Sequence, residues 1–229
     1  MHDELREKVC QANIQLKKQR LVIFSWGNVS GIDRKSGTVA IKPSGVTYDE
    51  LTAEKIVLLD LDGKKLDGDL NPSSDTPTHL ELYRNFRDIG GVCHTHSTYA
   101  AMWAQGCKEI PCFGTTHADY YYGPVPVTEV MSEEEIKTDY ELNTGKVIVR
   151  RFKDLDPIQV PAVLVANHGS FTWGHTPAKA LESAVVLEQA AKTALGTLLV
   201  NPKQKEIAKA LLDKHYLRKH GKDSYYGQN

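Results

Sequence analysis

The chain has 229 residues, 41% of them hydrophobic, with 28 basic against 29 acidic side chains and a formal net charge of −1. That length suits one large core, read here as a single domain over 1–229, and the apolar fraction argues against disorder. The near-zero charge gives no electrostatic reason to expect nucleic acid or an anionic membrane, and no apolar run approaches the ~20 residues needed to span a bilayer.

From the N-terminus, Met1-His2-Asp3-Glu4 carries charge where a signal peptide would carry an apolar core. Residues 4–18 then place Leu5, Val9, Ala12 and Leu16 on one stripe with lysines opposite, which predicts an amphipathic helix. Leu21 to Trp26 and Val29 to Asp33 read as two strands around Gly27-Asn28, Thr38 to Lys42 as a third, and Val57 to Leu61 as a fourth before the turn Asp62-Gly63. Asp75 or Thr76 can cap a helix with Pro77 at its start. The small and β-branched residues of Gly91-Val92-Cys93 predict a buried strand running into His94-Thr95-His96. Ser132 and Glu135 form a capping box for a helix carrying Ile136 and Tyr140. Thr176-Pro177 opens a long helix towards Gly196, and residues 203–219 form a last one. No repeat or linker divides the chain, and the early strands follow too closely for helical crossovers. A mostly antiparallel or mixed sheet with helices packed on it is therefore expected.

Four cysteines, Cys10, Cys93, Cys107 and Cys112, are few and irregularly spaced, which points to reduced thiols and a cytoplasmic location. Cys107 and Cys112 lack a second pair and read as small structural residues.

Chemistry concentrates at element ends. Strand side chains alternate faces, so His94 and His96 point the same way and can chelate one divalent metal, most often zinc. His168 ends the apolar run Val163-Leu164-Val165-Ala166 before a glycine, and Asp75 sits in a polar turn before a helix. Three imidazoles and a carboxylate make an open metal site with room for a substrate. Three segments read as anion-binding loops: Gly27-Asn28, then Lys42-Pro43-Ser44-Gly45, then Pro72-Ser73-Ser74-Asp75 at a helix N-terminus. Each alone is an ordinary turn; together, beside metal ligands, they point to a phosphorylated small molecule. Asp119, in Thr115-Thr116-His117-Ala118-Asp119-Tyr120, is an acid/base candidate and equally a cap or turn former, whereas His117 is expected to hydrogen-bond within its loop.

These segments resemble the class II aldolase family nearly end to end. The resemblance runs through Ser25 to Ser30, Ile41 to Val46, Pro72 to His79, His94 to Ser97, Gly114 to Tyr120 and the tail Leu211 to Gln228. The Thr-Thr-His-Ala-Asp-Tyr run and the tail, from Asp213 to Gly221 and on to Tyr225-Tyr226-Gly227-Gln228, are similar to the branch that epimerises L-ribulose 5-phosphate. The resemblance implies a three-layer α/β/α fold with a mixed, mostly antiparallel sheet, in a four-fold symmetric homotetramer. It implies Zn2+ on His94, His96 and His168, or another divalent ion such as Mn2+ or Co2+, with Asp75 as fourth ligand or nearby acid/base. Gly27, Asn28, Lys42, Ser44, Gly45, Ser73 and Ser74 match the substrate loops. Asp119 and Tyr226 match a proton-transfer pair, with Tyr226 reaching a neighbouring subunit's site. Asn167 stands where relatives carry other small polar residues, which leaves the adjacent ligand in place.

The implied reaction interconverts L-ribulose 5-phosphate and D-xylulose 5-phosphate by retro-aldol cleavage of C3–C4 and re-addition, without a redox cofactor. The nearest alternative is an aldolase cleaving fuculose or rhamnulose phosphate. A zinc hydrolase would use the histidines but leave the phosphate loops unexplained.

Overall fold

A computed structural model describes residues 2–222 and 224–225. Its centre is a seven-stranded sheet. The strands are β1 (Asn28–Asp33), β2 (Thr38–Ile41), β3 (Val57–Leu59), β4 (Lys65–Asp67), β5 (Gly91–Thr95), β6 (Ala162–Leu164) and β7 (Ser170–Gly174). They lie in the order β4-β3-β2-β1-β5-β7-β6, and every ladder among the described residues is antiparallel. A single parallel bridge, Val127 to Leu164, adds the mixed element at the β6 edge. The helices are α1 (His2–Lys18), α2 (Thr76–Asn85), α3 (Thr98–Gln105), α4 (Thr115–Ala118), α5 (Glu133–Lys137), α6 (Tyr140–Arg151), α7 (Pro177–Val200) and α8 (Lys209–His220). This is the expected layered α/β architecture.

Side-chain alternation divides the core in two. Val92 and Trp173 turn to one face, where Leu80, Leu82 and Tyr83 of α2 and Ile148 of α6 cover them. Cys93 turns to the other, against Ala12 and Leu16 of α1 and Ala180 and Ala184 of α7. Both layers of helix thus grip β5, the strand that leads into the His-x-His.

Several expectations are corrected. Leu21 to Trp26 is a turn and not a strand: Phe24 takes φ +54°, and the Tyr48 hydroxyl donates to the carbonyls of Trp26 and Gly27. The capping box on Ser132 is present, but its helix stops at Lys137 and a second one starts at Tyr140. The last helix begins at Lys209 rather than 203, because the amide of Ile207 donates to the carbonyl of Cys112 and holds the preceding segment outside the helix. Asp75 occupies the N-cap of α2 without a side-chain capping bond.

Candidate metal and anion site

The antiparallel register is what assembles the site. Asn28 of β1 pairs with His94 of β5, and His94 pairs with Phe171 of β7, whose ring stacks on the imidazole at 4.2 Å between centroids. His96 lies just beyond the end of β5, and its Nε2 is 3.0 Å from Nε2 of His94. His168 sits in the tight connection from β6 to β7, closed by the Val165 amide donating to the Gly169 carbonyl at 2.8 Å. Asn167 makes that turn at φ +62°, a left-handed conformation asparagine tolerates better than most residues. A Cβ at Gly169 would lie 2.8 Å from the Thr95 carbonyl oxygen and within 3.5 Å of both the His94 and His96 rings. Only glycine lets the third histidine's turn close over the first two.

The donor set fits a divalent cation. One ring nitrogen from each of His94, His96 and His168 falls within 4.8 Å of the others. Nδ1 of His94 lies 2.9 Å from the Ser170 carbonyl, to which it donates, and Nε2 is the ring nitrogen turned to the cluster. Burial first, then His94, pushes His96 down to about 4 and His168 down to about 3, so both are neutral at pH 7. Neutral imidazoles in a tight cluster are the ligand form zinc requires, with Zn–N bonds of about 2.0–2.1 Å. Sequence reasoning missed one contact: the Tyr140 hydroxyl is 3.4 Å from Nδ1 of His168. The two are far apart in sequence, and no local pattern could have paired them.

Asp75 lies on the wall of the same pocket but outside the three-imidazole cluster. Its Oδ2 accepts from Nδ2 of Asn28 at 2.6 Å, so Asn28 orients the carboxylate that α2 does not use as a cap.

The rest of the pocket is the predicted anion wall: Gly27, Asn28, Lys42, Ser44, Gly45, Ser73 and Ser74 all line it, together with Ser25, Trp26 and Pro43. The Ser44 amide donates to the Asn71 carbonyl and the Ser73 amide to the Lys42 carbonyl, which fastens the two loops side by side. The Ser73 hydroxyl accepts from Asn28 and is engaged with Asp75. The hydroxyls of Ser44 and Ser74, both on exposed residues, are the donors these loops present to solvent. Lys42 is 2% exposed and donates to the carbonyls of Ser25 and Pro43, 5.1 Å above the Tyr48 ring. Burial lowers its ammonium to about 8, which still leaves it cationic at neutral pH.

Asp119 does not line this pocket. It follows α4 and faces α8, where its carboxylate accepts from His215 at 3.0 Å and from Arg218 on both oxygens at 3.0 Å. Burial raises its carboxyl, but the hydrogen bonds from Arg218 and His215 and the charge of Lys219 outweigh that and hold it below the ordinary carboxylate range. Tyr226 lies outside the described residues. His117 has the loop role expected of it, with Nε2 2.7 Å from the Gly123 carbonyl.

Comparison with known proteins accords with this geometry. The family described as class II aldolase and adducin N-terminal domain matches residues 7–195. An L-fuculose 1-phosphate aldolase is similar in structure at 24% identity and a TM-score of 0.78, over 93% of this chain and 94% of that one. YgbL from Klebsiella pneumoniae, assigned broadly as an aldolase, epimerase or decarboxylase, is 23% identical over 93% of this chain and 98% of its own, with a TM-score of 0.74. The L-fuculose-1-phosphate aldolase of Thermus thermophilus is 22% identical with a TM-score of 0.69, over 88% and 99% of the two chains. At these identities the likeness is one of fold.

Proposed function

The chain belongs to the class II aldolase and adducin N-terminal domain family, and on that premise we propose that it is a zinc-dependent epimerase interconverting L-ribulose 5-phosphate and D-xylulose 5-phosphate. The observation that carries the reading is one pocket holding both a three-imidazole cluster and a serine- and lysine-lined anion wall. A hydrolytic metal site has no need of the second half. The choice of epimerase over aldolase rests on the Thr115 to Tyr120 run and the Asp213 to Gln228 tail.

C4 of the substrate carries no acidic proton, so its configuration is inverted by breaking and remaking C3–C4. The C4 hydroxyl gives up its proton, the C3–C4 electron pair passes to the carbonyl fragment, and C4 becomes an aldehyde. A divalent cation on His94, His96 and His168 would supply Lewis-acid stabilisation of the charge that develops on that fragment. Ser44, Gly45 and Ser74 hold the phosphate while the aldehyde turns, so that re-addition meets its other face. Asn28 orients the Asp75 carboxylate at the inner wall.

Asp119 and Tyr226 are assigned to removing and returning the C4 proton from opposite sides. Because Asp119 lies off this pocket in its own chain, a neighbouring subunit of a cytoplasmic homotetramer is assigned to deliver it. The test is to incubate the purified, zinc-loaded protein with L-ribulose 5-phosphate. Formation of D-xylulose 5-phosphate without free glycolaldehyde phosphate supports the epimerase. Release of free aldehyde identifies an aldolase instead, and no turnover of either kind overturns the assignment.

A further inference from the structure

We propose that Glu188, on α7, is a positioning residue for the metal centre, acting through the helix that follows His96; this rests on the three histidines being the metal ligands. His94 is held by the β-ladder on both sides, whereas His96 lies past the end of β5 and has no ladder partner. Its backbone is fixed by what comes next, the start of α3. Ser97 is the N-cap of α3 but makes no side-chain capping bond, and its hydroxyl lies 3.4 Å from that of Thr95.

The first-turn amides are satisfied from another helix. The Glu188 carboxylate accepts from the Tyr99 amide at 2.9 and 3.2 Å and from the Ala100 amide at 3.0 Å. Those are the second and third helical positions, the amides that an N-cap side chain ordinarily serves. An anion there also complements the positive end of the helix. The neighbouring turns of α7 reinforce the joint: the Trp103 indole donates to the Ala191 carbonyl at 3.0 Å, and the Lys192 ammonium lies 5.4 Å above the Tyr99 ring. Glu188 thus fastens the β5–α3 corner that aims His96 at its partners.

Wild type, Glu188→Ala and Glu188→Gln are loaded with cobalt(II), and affinity is measured by competition with a chromophoric chelator alongside the visible ligand-field spectrum. The metal-free thermal midpoint is recorded in parallel. Thr176→Ala serves as control, since it removes the side-chain cap of α7 itself, where Thr176 accepts from the Lys179 amide. Glu188→Ala is expected to weaken cobalt about 10-fold, the low end of the range for partners that bond a ligand directly, and to alter the spectrum. Glu188→Gln, which keeps a carbonyl acceptor, recovers part of the loss. Thr176→Ala lowers the midpoint and leaves affinity and spectrum alone.

Wild-type affinity and spectrum in Glu188→Ala, or an equal affinity loss in Thr176→Ala, overturns the positioning role while leaving the metal centre intact. If Glu188→Ala does not fold, Glu188→Gln decides by the same criterion, and undiminished affinity overturns the proposal. A wild-type protein that takes up no cobalt removes the metal centre, and the proposal with it.

Discussion

Arg218 grips Asp119 through both carboxylate oxygens, each at 3.0 Å, and the pair sits between α4 and α8 rather than in the three-histidine pocket. If a neighbouring copy supplies Asp119, two dead chains complement each other. On the proposed function, His96→Asn would lack the metal site and Asp119→Asn the proton carrier. A hybrid tetramer contains interfaces where wild-type His96 of one chain meets wild-type Asp119 of another. Mixing the two variants after mild dissociation should therefore restore part of the epimerase rate. Hybrids as inactive as their parents place Asp119 outside catalysis or within its own chain's site.

Metal analysis should find about one divalent ion per chain, and His96→Asn should lose both metal and activity while its circular dichroism is retained. His96 lies past the end of β5 and belongs to none of the hydrophobic core clusters, so its loss empties the site without unfolding the sheet. Full metal occupancy in this variant would sink the ligand assignment.

Ser44→Ala and Ser74→Ala should each raise KM for the phosphorylated sugar with a smaller effect on kcat. A lost hydrogen bond to a charged group costs about 1.5–3 kcal/mol, or roughly 10- to 150-fold in KM. Ser73→Ala should behave differently, because its hydroxyl braces Asn28 and Asp75; its loss should fall on kcat. The split is read from steady-state kinetics, and equal effects for all three serines would contradict it.

Burial holds His117 down to about 4, against an ordinary value near 6.5. Below pH 6.5 the unfolded chain binds a proton that the folded chain refuses, so stability falls with falling pH until the folded value is reached. Each such histidine contributes a slope of about 1.4 kcal/mol per pH unit over that window. Denaturant melts of wild type should therefore weaken steadily from pH 6.5 to 4, and His117→Gln should show a shallower slope. Identical slopes would mean that His117 is solvated in the folded state.

His94, His96 and the serine- and glycine-rich loops that line the pocket are each legible in the sequence, because each is a local pattern: alternation along a strand, or serine and glycine at a turn. Their convergence was not local. Nothing within β1 or β7 announces that Asn28 pairs with His94 or that Phe171 stacks on it. Leu21 to Trp26 misled because β-branched and aromatic residues favour strands wherever packing allows. Here the segment turns instead: Leu21 is buried, Phe24 is exposed and the Tyr48 hydroxyl holds the chain reversal. Asp119 was legible as a chemically capable residue, but its partners come from a helix nearly a hundred residues away.

The β1–β5 and β5–β7 ladders join segments that are distant in the chain; His94 lies in both, with His96 and His168 just beyond strand ends beside it. Closing such separations is entropically costly and makes for slow folding. A chain that has formed only its N-terminal half offers two histidines and no third. Cation uptake during refolding should then lag behind secondary structure and coincide with the docking of the β6–β7 connection. Zinc would act as a reporter of completed topology in this protein, with no part in nucleating it.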